Sequence, residues 1–281
     1  MGSQRGRGSA GDFDFDGHRV YYETFGEGER VLVYANGLLL DTQLNQGIAH
    51  ALAARGNRVV LLDLLGHGRS DKPMRQSLYR MDVYGLQMLA VLEHLGLDSA
   101  VLGGVSLGAN VCLEAVHRKP SAVRGLVIEM PVLENAVPAA ALAFVPVLLA
   151  ARHLSGAYGL GSRLVKMFPR TPVAALNSVL DAGSAPPEIV ATVLQGVLGG
   201  PVGPREEDRE AIRCPAVIIG HRRDLIHPFS DAAQLCEQIR GARLLEAISP
   251  MELRILPRRL TGEIADFLDE VWAPMVAEKA S

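Results

Sequence analysis

The sequence predicts an α/β protein with a mostly parallel sheet and helices on both of its faces. Short apolar runs alternate along the chain with segments of helical periodicity, as in strand–helix–strand crossovers. The strand-like runs are apolar nearly throughout, which is typical of strands buried on both faces. The chain has 281 residues, of which 48% are apolar and 21% charged, so it has enough material for one large core.

The elements follow from the local patterns in chain order. Residues 19–25 and 30–35 are predicted as neighbouring strands, joined by a turn that contains two glycines. The remaining predicted strands are 58–63, 100–105, 125–129, 216–220 and 242–246. Apolar residues at helical spacing predict helices over 42–55, 81–95, 107–117, 230–239 and 257–272.

Composition divides the chain into three parts. Residues 1–12 are rich in Gly, Ser and Arg and lack an apolar stretch, so we expect a disordered leader. Residues 131–204 show no clear strand and consist of Ala-, Val- and Leu-rich helical pieces interrupted by prolines, which predicts a helical insertion. Residues 13–130 and 205–275 should then form the α/β core.

Composition also argues against several classes of partner and cofactor. A net charge of −3 without a basic stripe argues against nucleic acid. The three cysteines have no metal-ligand spacing, so we expect a cytoplasmic protein with no metal and no organic cofactor. The apolar run Ala136–Ala151 is shorter than the ~20 residues of a membrane span. A buried helix is therefore expected there without stable membrane insertion, with a helix lying on a membrane surface as the alternative.

The strongest chemical signal is the pattern Gly-x-Ser-x-Gly at residues 104–108, between a predicted strand and a predicted helix. Glycines on both sides of Ser106 leave room for a tight turn that would project its hydroxyl. The N–H of Leu107, at the helix N-terminus, would favour a developing oxyanion. Ser106 is thus the candidate nucleophile, and a tight packing turn with an ordinary serine is the alternative.

With this motif the chain resembles the α/β-hydrolase family over nearly all of residues 18–272. The segment YANGL at 34–38 is similar to the family's oxyanion segment, with Asn36 in place of a histidine and Gly37 at the tight turn. The resemblance implies that the Leu38 N–H is the second oxyanion donor. It also implies that the helical insertion is a substrate-covering cap.

The resemblance extends to residues 63–70, DLLGHGRS, which are similar to a structural loop of the family. It therefore implies that Asp63 and His67 are structural. The GHRRDLIHP segment at 220–228 resembles the family segment that supplies the acid of the triad, which would here be Asp224. Glu129 is a second candidate, since some relatives, including one group of haloalkane dehalogenases, take their acid from this strand end. Its structural alternative is a salt bridge to a cap arginine.

The resemblance fails at the base. The family's histidine lies after the last strand, six or seven residues before a proline that matches Pro257. Those positions hold Pro250 and Met251, and no histidine follows His227 in the chain. The usual base is therefore missing from its usual place.

Three explanations stay open. His227 or His221, which flank Asp224, could act as the base. Glu252 could act as a general base if burial raised its pKa, although an ion pair with Arg254 is the structural alternative. The third explanation is that the protein performs no acyl transfer.

The predicted function is hydrolysis of a carboxylic ester, thioester or lactone with an apolar acyl or aromatic part, through Ser106 with a non-standard or missing base. An apolar cap predicts a dry cavity for such a small apolar substrate, with Phe144, Tyr158, Met167 and Phe168 as candidate lining residues. The alternative is a catalytically silent or non-hydrolytic protein that binds a small apolar ligand. A peripheral lipid hydrolase is a third option, and a homodimer stays open.

Overall fold

The computed structural model describes residues 8–279, and the side chains of residues 8–273. Within these residues one eight-stranded sheet forms the centre of the molecule. Its strands are β1 (Ser9–Phe15), β2 (His18–Phe25), β3 (Val31–Ala35), β4 (Arg58–Asp63), β5 (Ala100–Val105), β6 (Val123–Glu129), β7 (Ala216–Gly220) and β8 (Arg243–Glu246). Their order across the sheet is β1-β2-β4-β3-β5-β6-β7-β8.

The sheet is parallel from β4 to β8, and β1 and β2 add an antiparallel edge. Helices cover both faces. The helices are α1 (Gln46–Ala53), α2 (Met81–His94), α3 (Leu107–Arg118), α4 (Val137–His153), α5 (Ser155–Lys166), α6 (Ala174–Gly183), α7 (Pro187–Leu198), α8 (Glu206–Glu210), α9 (Phe229–Gln238), α10 (Glu252–Ile255) and α11 (Arg258–Lys279). Two apolar clusters separate the layers, one with α2, α3 and α9 and the other with α1 and α11. The predicted fold class is confirmed.

Two expectations about the N-terminal part are wrong. Residues 9–12 belong to β1, which pairs with β2 from Ser9 opposite Thr24 to Phe15 opposite His18, and Phe13 is buried. Main-chain hydrogen bonds and this buried ring hold the segment in the sheet. Residues 1–7 of the expected leader lie outside the described residues. The second error concerns β2 and β3, which are not neighbours because β4 lies between them.

The segment between β6 and β7 forms helices α4 to α8, of which we call α4 to α7 the cap helices (residues 137–198). Helix α4 packs on α7, and α7 packs on the short helical turn Gln76–Tyr79. The expected burial of the run at 136–151 is wrong: Ala136 and Ala151 are the two buried residues of that run, and Leu142 is 79% exposed. No single helix of the described residues is long and apolar enough to cross a membrane; α4 and α5 pass that test only as a pair bent by 108°.

Candidate active site

Ser106 lies on a strained turn between β5 and α3. Its φ of 54° and ψ of −115° fall in the left-handed half of the map, which non-glycine residues rarely adopt. A Cβ on Gly104 would lie 2.3 Å from the Gly108 backbone, and a Cβ on Gly108 would lie 2.3 Å from the Ala35 carbonyl oxygen. The two glycines therefore allow the strand, the turn and the helix to approach closely enough to form this turn.

His227 lies next to this serine. Its Nε2 is 2.8 Å from Ser106 Oγ, and its Nδ1 is 3.0 Å from Asp224 Oδ2. The Asp224 carboxylate can only accept hydrogen bonds, so His227 Nδ1 carries a proton and is the hydrogen-bond donor. Nε2 is then left as the acceptor for the Ser106 hydroxyl. This is the hydrogen-bond order of a serine–histidine–carboxylate triad.

The acid and the imidazole come from one short loop between β7 and α9. Asp224 Oδ1 accepts the backbone N–H groups of Ile226 at 2.8 Å and His227 at 3.0 Å, so the carboxylate also closes its own turn. Burial acts to raise the pKa of Asp224, but the hydrogen bonds and charge from His227 and the N–H of Ile226 outweigh it and lower the pKa to about 2. The carboxylate is therefore ionised at neutral pH.

The two histidines that flank Asp224 have different surroundings. His221 is buried, and its Nε2 lies 3.1 Å from the Ile248 carbonyl oxygen, 27 residues further along the chain. His227 occupies the place beside the serine that the family fills from the loop after β8. The histidine absent from residues 250 and 251 is thus replaced in space by one that precedes it in sequence.

The oxyanion segment approaches the serine closely. A Cβ on Gly37 would lie 3.9 Å from Ser106 Cβ, and Leu38 and Leu107 line the same cavity as Ser106. Among the described residues neither the Leu38 N–H nor the Leu107 N–H donates to a protein acceptor. Leu107 begins α3, where the first N–H groups of a helix are free and the dipole favours negative charge.

Asn36 does not reach into the cavity but holds the oxyanion segment in place. Its Nδ2 donates to the Leu62 carbonyl oxygen at 3.0 Å, and its Oδ1 accepts from Asn45 Nδ2 at 2.6 Å. Both side chains are buried. The amide that replaces the family's histidine is therefore a structural tie to β4 and to the residue before α1.

Glu129 lies below the turn in a buried ion pair with Arg254. Their side chains are 4% and 2% exposed. Glu129 Oε2 also accepts the Tyr34 hydroxyl at 2.8 Å, and Arg254 Nη2 donates to Asn45 Oδ1 at 2.7 Å. The partner of Glu129 is therefore an arginine of α10, and the expected salt bridge to a cap arginine is wrong.

This ion pair is connected to the nucleophile and to the oxyanion segment. The Glu129 carbonyl oxygen accepts the Ser106 N–H at 2.9 Å, and Asn45 links Arg254 to Asn36. We call Tyr34, Asn36, Asn45, Glu129 and Arg254 the buried network. This network joins the end of β3, which leads into the oxyanion segment, to the end of β6, which holds the Ser106 turn.

Glu252 is a structural residue of the loop after β8. Its Oε2 accepts the Ile248 N–H, and its carboxylate pairs with Arg259 at 2.8 Å. The predicted Glu252–Arg254 ion pair is wrong, because Arg254 points to Glu129. Burial acts to raise the pKa of Glu252, but the hydrogen bonds from Arg259 and Ile248 outweigh it, so the pKa is lowered. This is the opposite of what a carboxylate base needs.

Asp63 ends β4 and His67 lies in the loop that follows, and both hold this loop together. Asp63 accepts the N–H groups of Thr42 at 2.8 Å and Arg69 at 2.9 Å, and burial raises its pKa to about 7. His67 Nδ1 bonds the Leu65 carbonyl oxygen at 3.0 Å, and burial lowers the pKa of this imidazole to about 4.

A cavity of about 240 Å³ opens beside Ser106. Its walls are mostly aliphatic, and the cap contributes Val137, Ala140, Ala141, Phe144 and Val145 from α4. Asn110 is the other polar side chain among the described lining residues, and it bonds the backbone of Val132 and Val202. Of the four predicted lining residues Phe144 is confirmed, whereas Met167 and Phe168 are exposed and Tyr158 packs within the cap against buried residues of α4 and α7.

Comparison with known proteins agrees with the fold. A family model described as the alpha/beta hydrolase fold matches residues 30–150. The AB hydrolase superfamily protein YisY of Bacillus subtilis is 26% identical over 80% of this chain and 85% of its own length. Proline iminopeptidase of Heyndrickxia coagulans is 30% identical, but over only 44% of this chain and 43% of the peptidase.

Solved structures extend the likeness to nearly the whole chain. The enol-lactonase from Burkholderia xenovorans LB400 superposes with a TM-score of 0.75 over 92% of this chain and 99% of its own, at 20% identity. The family match and the structural likeness show that the chain has the α/β-hydrolase fold. The names of these proteins include a hydrolase superfamily protein, a peptidase and a lactonase.

Proposed function

We propose that the protein is a serine hydrolase of carboxylic esters, thioesters or lactones with an apolar acyl or aromatic part. One observation carries this proposal: Ser106 Oγ, the His227 imidazole and the Asp224 carboxylate form a continuous hydrogen-bonded chain of 2.8 and 3.0 Å. The alternative of a catalytically silent ligand-binding protein loses its support, since it depended on a missing base.

In the first half of the reaction His227 Nε2 takes the proton of the Ser106 hydroxyl as Oγ attacks the substrate carbonyl carbon. Asp224 stabilises the imidazolium that forms. The carbonyl oxygen becomes an oxyanion, which the N–H groups of Leu38 and Leu107 stabilise. The C–O or C–S bond to the leaving group then breaks, and His227 Nε2 returns the proton to the departing oxygen or sulfur.

In the second half a water molecule replaces the leaving group. His227 takes a proton from that water, whose oxygen attacks the acyl carbon of the Ser106 ester. The second tetrahedral intermediate collapses, the bond to Oγ breaks, and the proton returns to Ser106. The products are a carboxylic acid and an alcohol or thiol, or one hydroxy acid from a lactone.

The cavity supports an apolar acyl part. Burial of an apolar group gains about 25 cal/mol per Å², whereas an unpaired polar group would lose its hydrogen bonds to water. Asn110 already bonds two backbone segments, so it offers little to a sugar or a phosphate. The name of the enol-lactonase is in keeping with a lactone among the candidate substrates.

The proposal is tested by turnover of p-nitrophenyl esters from acetate to octanoate. We expect Ser106→Ala to reduce hydrolysis to the buffer rate, and the wild type to prefer chains longer than acetate because of the apolar cavity. Ser121→Ala, at an exposed serine after α3, is the matched control and should keep wild-type activity. Equal rates for wild type and Ser106→Ala would refute serine catalysis.

A further inference from the structure

The outer surface of the cap carries apolar side chains that the fold leaves exposed. On α4 and at its end they are Leu142, Leu149 and Leu154, and on α5 and just after it Leu160, Met167 and Phe168. Leu142 is 79% exposed and Met167 78%. Scattered single exposed leucines are normal on protein surfaces, but a concentration on two consecutive helices is a mark of an interaction site.

Within each helix the exposed apolar side chains follow a helical spacing that places them on one face. Residues 142, 145 and 149 are three or four apart along α4, and residues 160, 164 and 167 are three or four apart along α5 and its C-cap. The helices are joined at Leu154 and meet at 108°. Two helices joined in this way can lie together in the plane of a membrane surface, although neither is long enough to cross it.

The charge of this surface favours an anionic lipid membrane over a second copy of the chain as its partner. From residue 135 to residue 180 the sequence contains four basic residues and no Asp or Glu. Arg152, Arg163 and Lys166 are exposed and have no acidic partner among the described residues, whereas Arg170 pairs with Asp181. A second copy packed symmetrically on this face would bring unpaired cations together, while an anionic lipid surface would neutralise them.

The same helix also borders the cavity of the site. Val137 and Val145 of α4 line the cavity beside Ser106 and are also 42% and 39% exposed. The exposed apolar surface of α4 therefore borders directly on the mouth of the cavity. A membrane that covered this surface would lie next to the cavity.

We propose that α4 and α5 dock the protein on membranes with anionic lipids, apolar side chains entering the headgroup region and Arg152, Arg163 and Lys166 contacting lipid phosphates or carboxylates. This docking does not depend on the chemistry of Ser106. Only the consequence that the substrate is an acyl lipid taken from the bilayer rests on the proposed function.

The test is co-sedimentation with vesicles of phosphatidylcholine alone and of phosphatidylcholine with phosphatidylserine. We expect wild type and Ser106→Ala to bind the anionic vesicles equally, so that a failed catalytic proposal leaves the binding result intact. Arg163→Gln/Lys166→Gln should weaken binding roughly 30-fold, at about fivefold per cation. Leu142→Ser/Leu160→Ser should weaken it at least about tenfold, since these side chains lose their burial in lipid.

Matched controls lie at the far end of the sheet and on the outer face of α2. Lys119 follows α3, about 18 Å along this helix from Ser106. Lys119→Gln/Arg240→Gln removes two exposed cations and Leu86→Ser removes one exposed leucine, and both variants should leave binding unchanged. Equal binding of controls and cap variants, or no preference for anionic vesicles, would overturn the proposal. A dimer in gel filtration that Leu142→Ser/Leu160→Ser converts to a monomer would overturn it in favour of a second copy.

Discussion

Replacement of Arg254 by methionine should destabilise the protein strongly, because it would leave the Glu129 carboxylate buried with only the Tyr34 hydroxyl beside it. Both side chains of this pair are at most 4% exposed, so water cannot take the place of the guanidinium. Loss of one partner of such a pair costs about 3–5 kcal/mol. That is a large part of the about 5–15 kcal/mol that stabilises an ordinary domain.

The pairing itself is measured by a double-mutant cycle in urea, followed by far-UV circular dichroism at neutral pH. Glu129→Gln/Arg254→Met removes both charges and keeps an acceptor for Tyr34, so the double variant should be more stable than Arg254→Met alone. Arg205→Met is the control, since its pair with Glu207 is exposed and should contribute less than about 1 kcal/mol. Additive effects of the two single substitutions, within about 0.5 kcal/mol, would refute the coupling.

Two further predictions concern Asp224. Asp224→Asn should lower kcat for p-nitrophenyl esters by about 10⁴-fold, because an amide can donate to Nδ1 and favour the wrong tautomer of His227; a loss below tenfold would contradict this role. The ionised carboxylate should also stabilise the fold at pH values above its ordinary pKa of 3.8, and this contribution should be lost as the pH falls to about 2. Urea unfolding of wild type and Asp224→Asn should therefore show a difference in stability that shrinks from pH 5 to pH 2, and a difference independent of pH would contradict the lowered pKa.

The sequence was sufficient for the features that depend on local pattern. The elbow at Ser106 was predictable because its two glycines and the change from strand to helix are adjacent in the chain, and the structure shows the close contacts that require them. The parallel strands were predictable because burial on both faces makes them apolar throughout. Asp224 was found from its loop, which ends at a proline before α9.

The base could not be assigned because its position depends on a distance across the fold. His227 and Ser106 are separated by 121 residues, and family spacing pointed to the loop after β8. One local signal was present: a histidine three residues after the acid can fold back on it in a turn that the carboxylate itself closes. The buried network was missed for the same reason, since Arg254 lies 125 residues from Glu129.

The measurement that tests this account most directly is the rate at which a fluorophosphonate labels Ser106 in His227→Ala and His221→Gln. We predict that His227→Ala slows labelling by about 10⁴- to 10⁶-fold, since the hydroxyl loses the group that takes its proton. His221→Gln, which can still donate to the Ile248 carbonyl oxygen, should label at close to the wild-type rate. Prompt labelling of His227→Ala would contradict the assignment of His227 as the base.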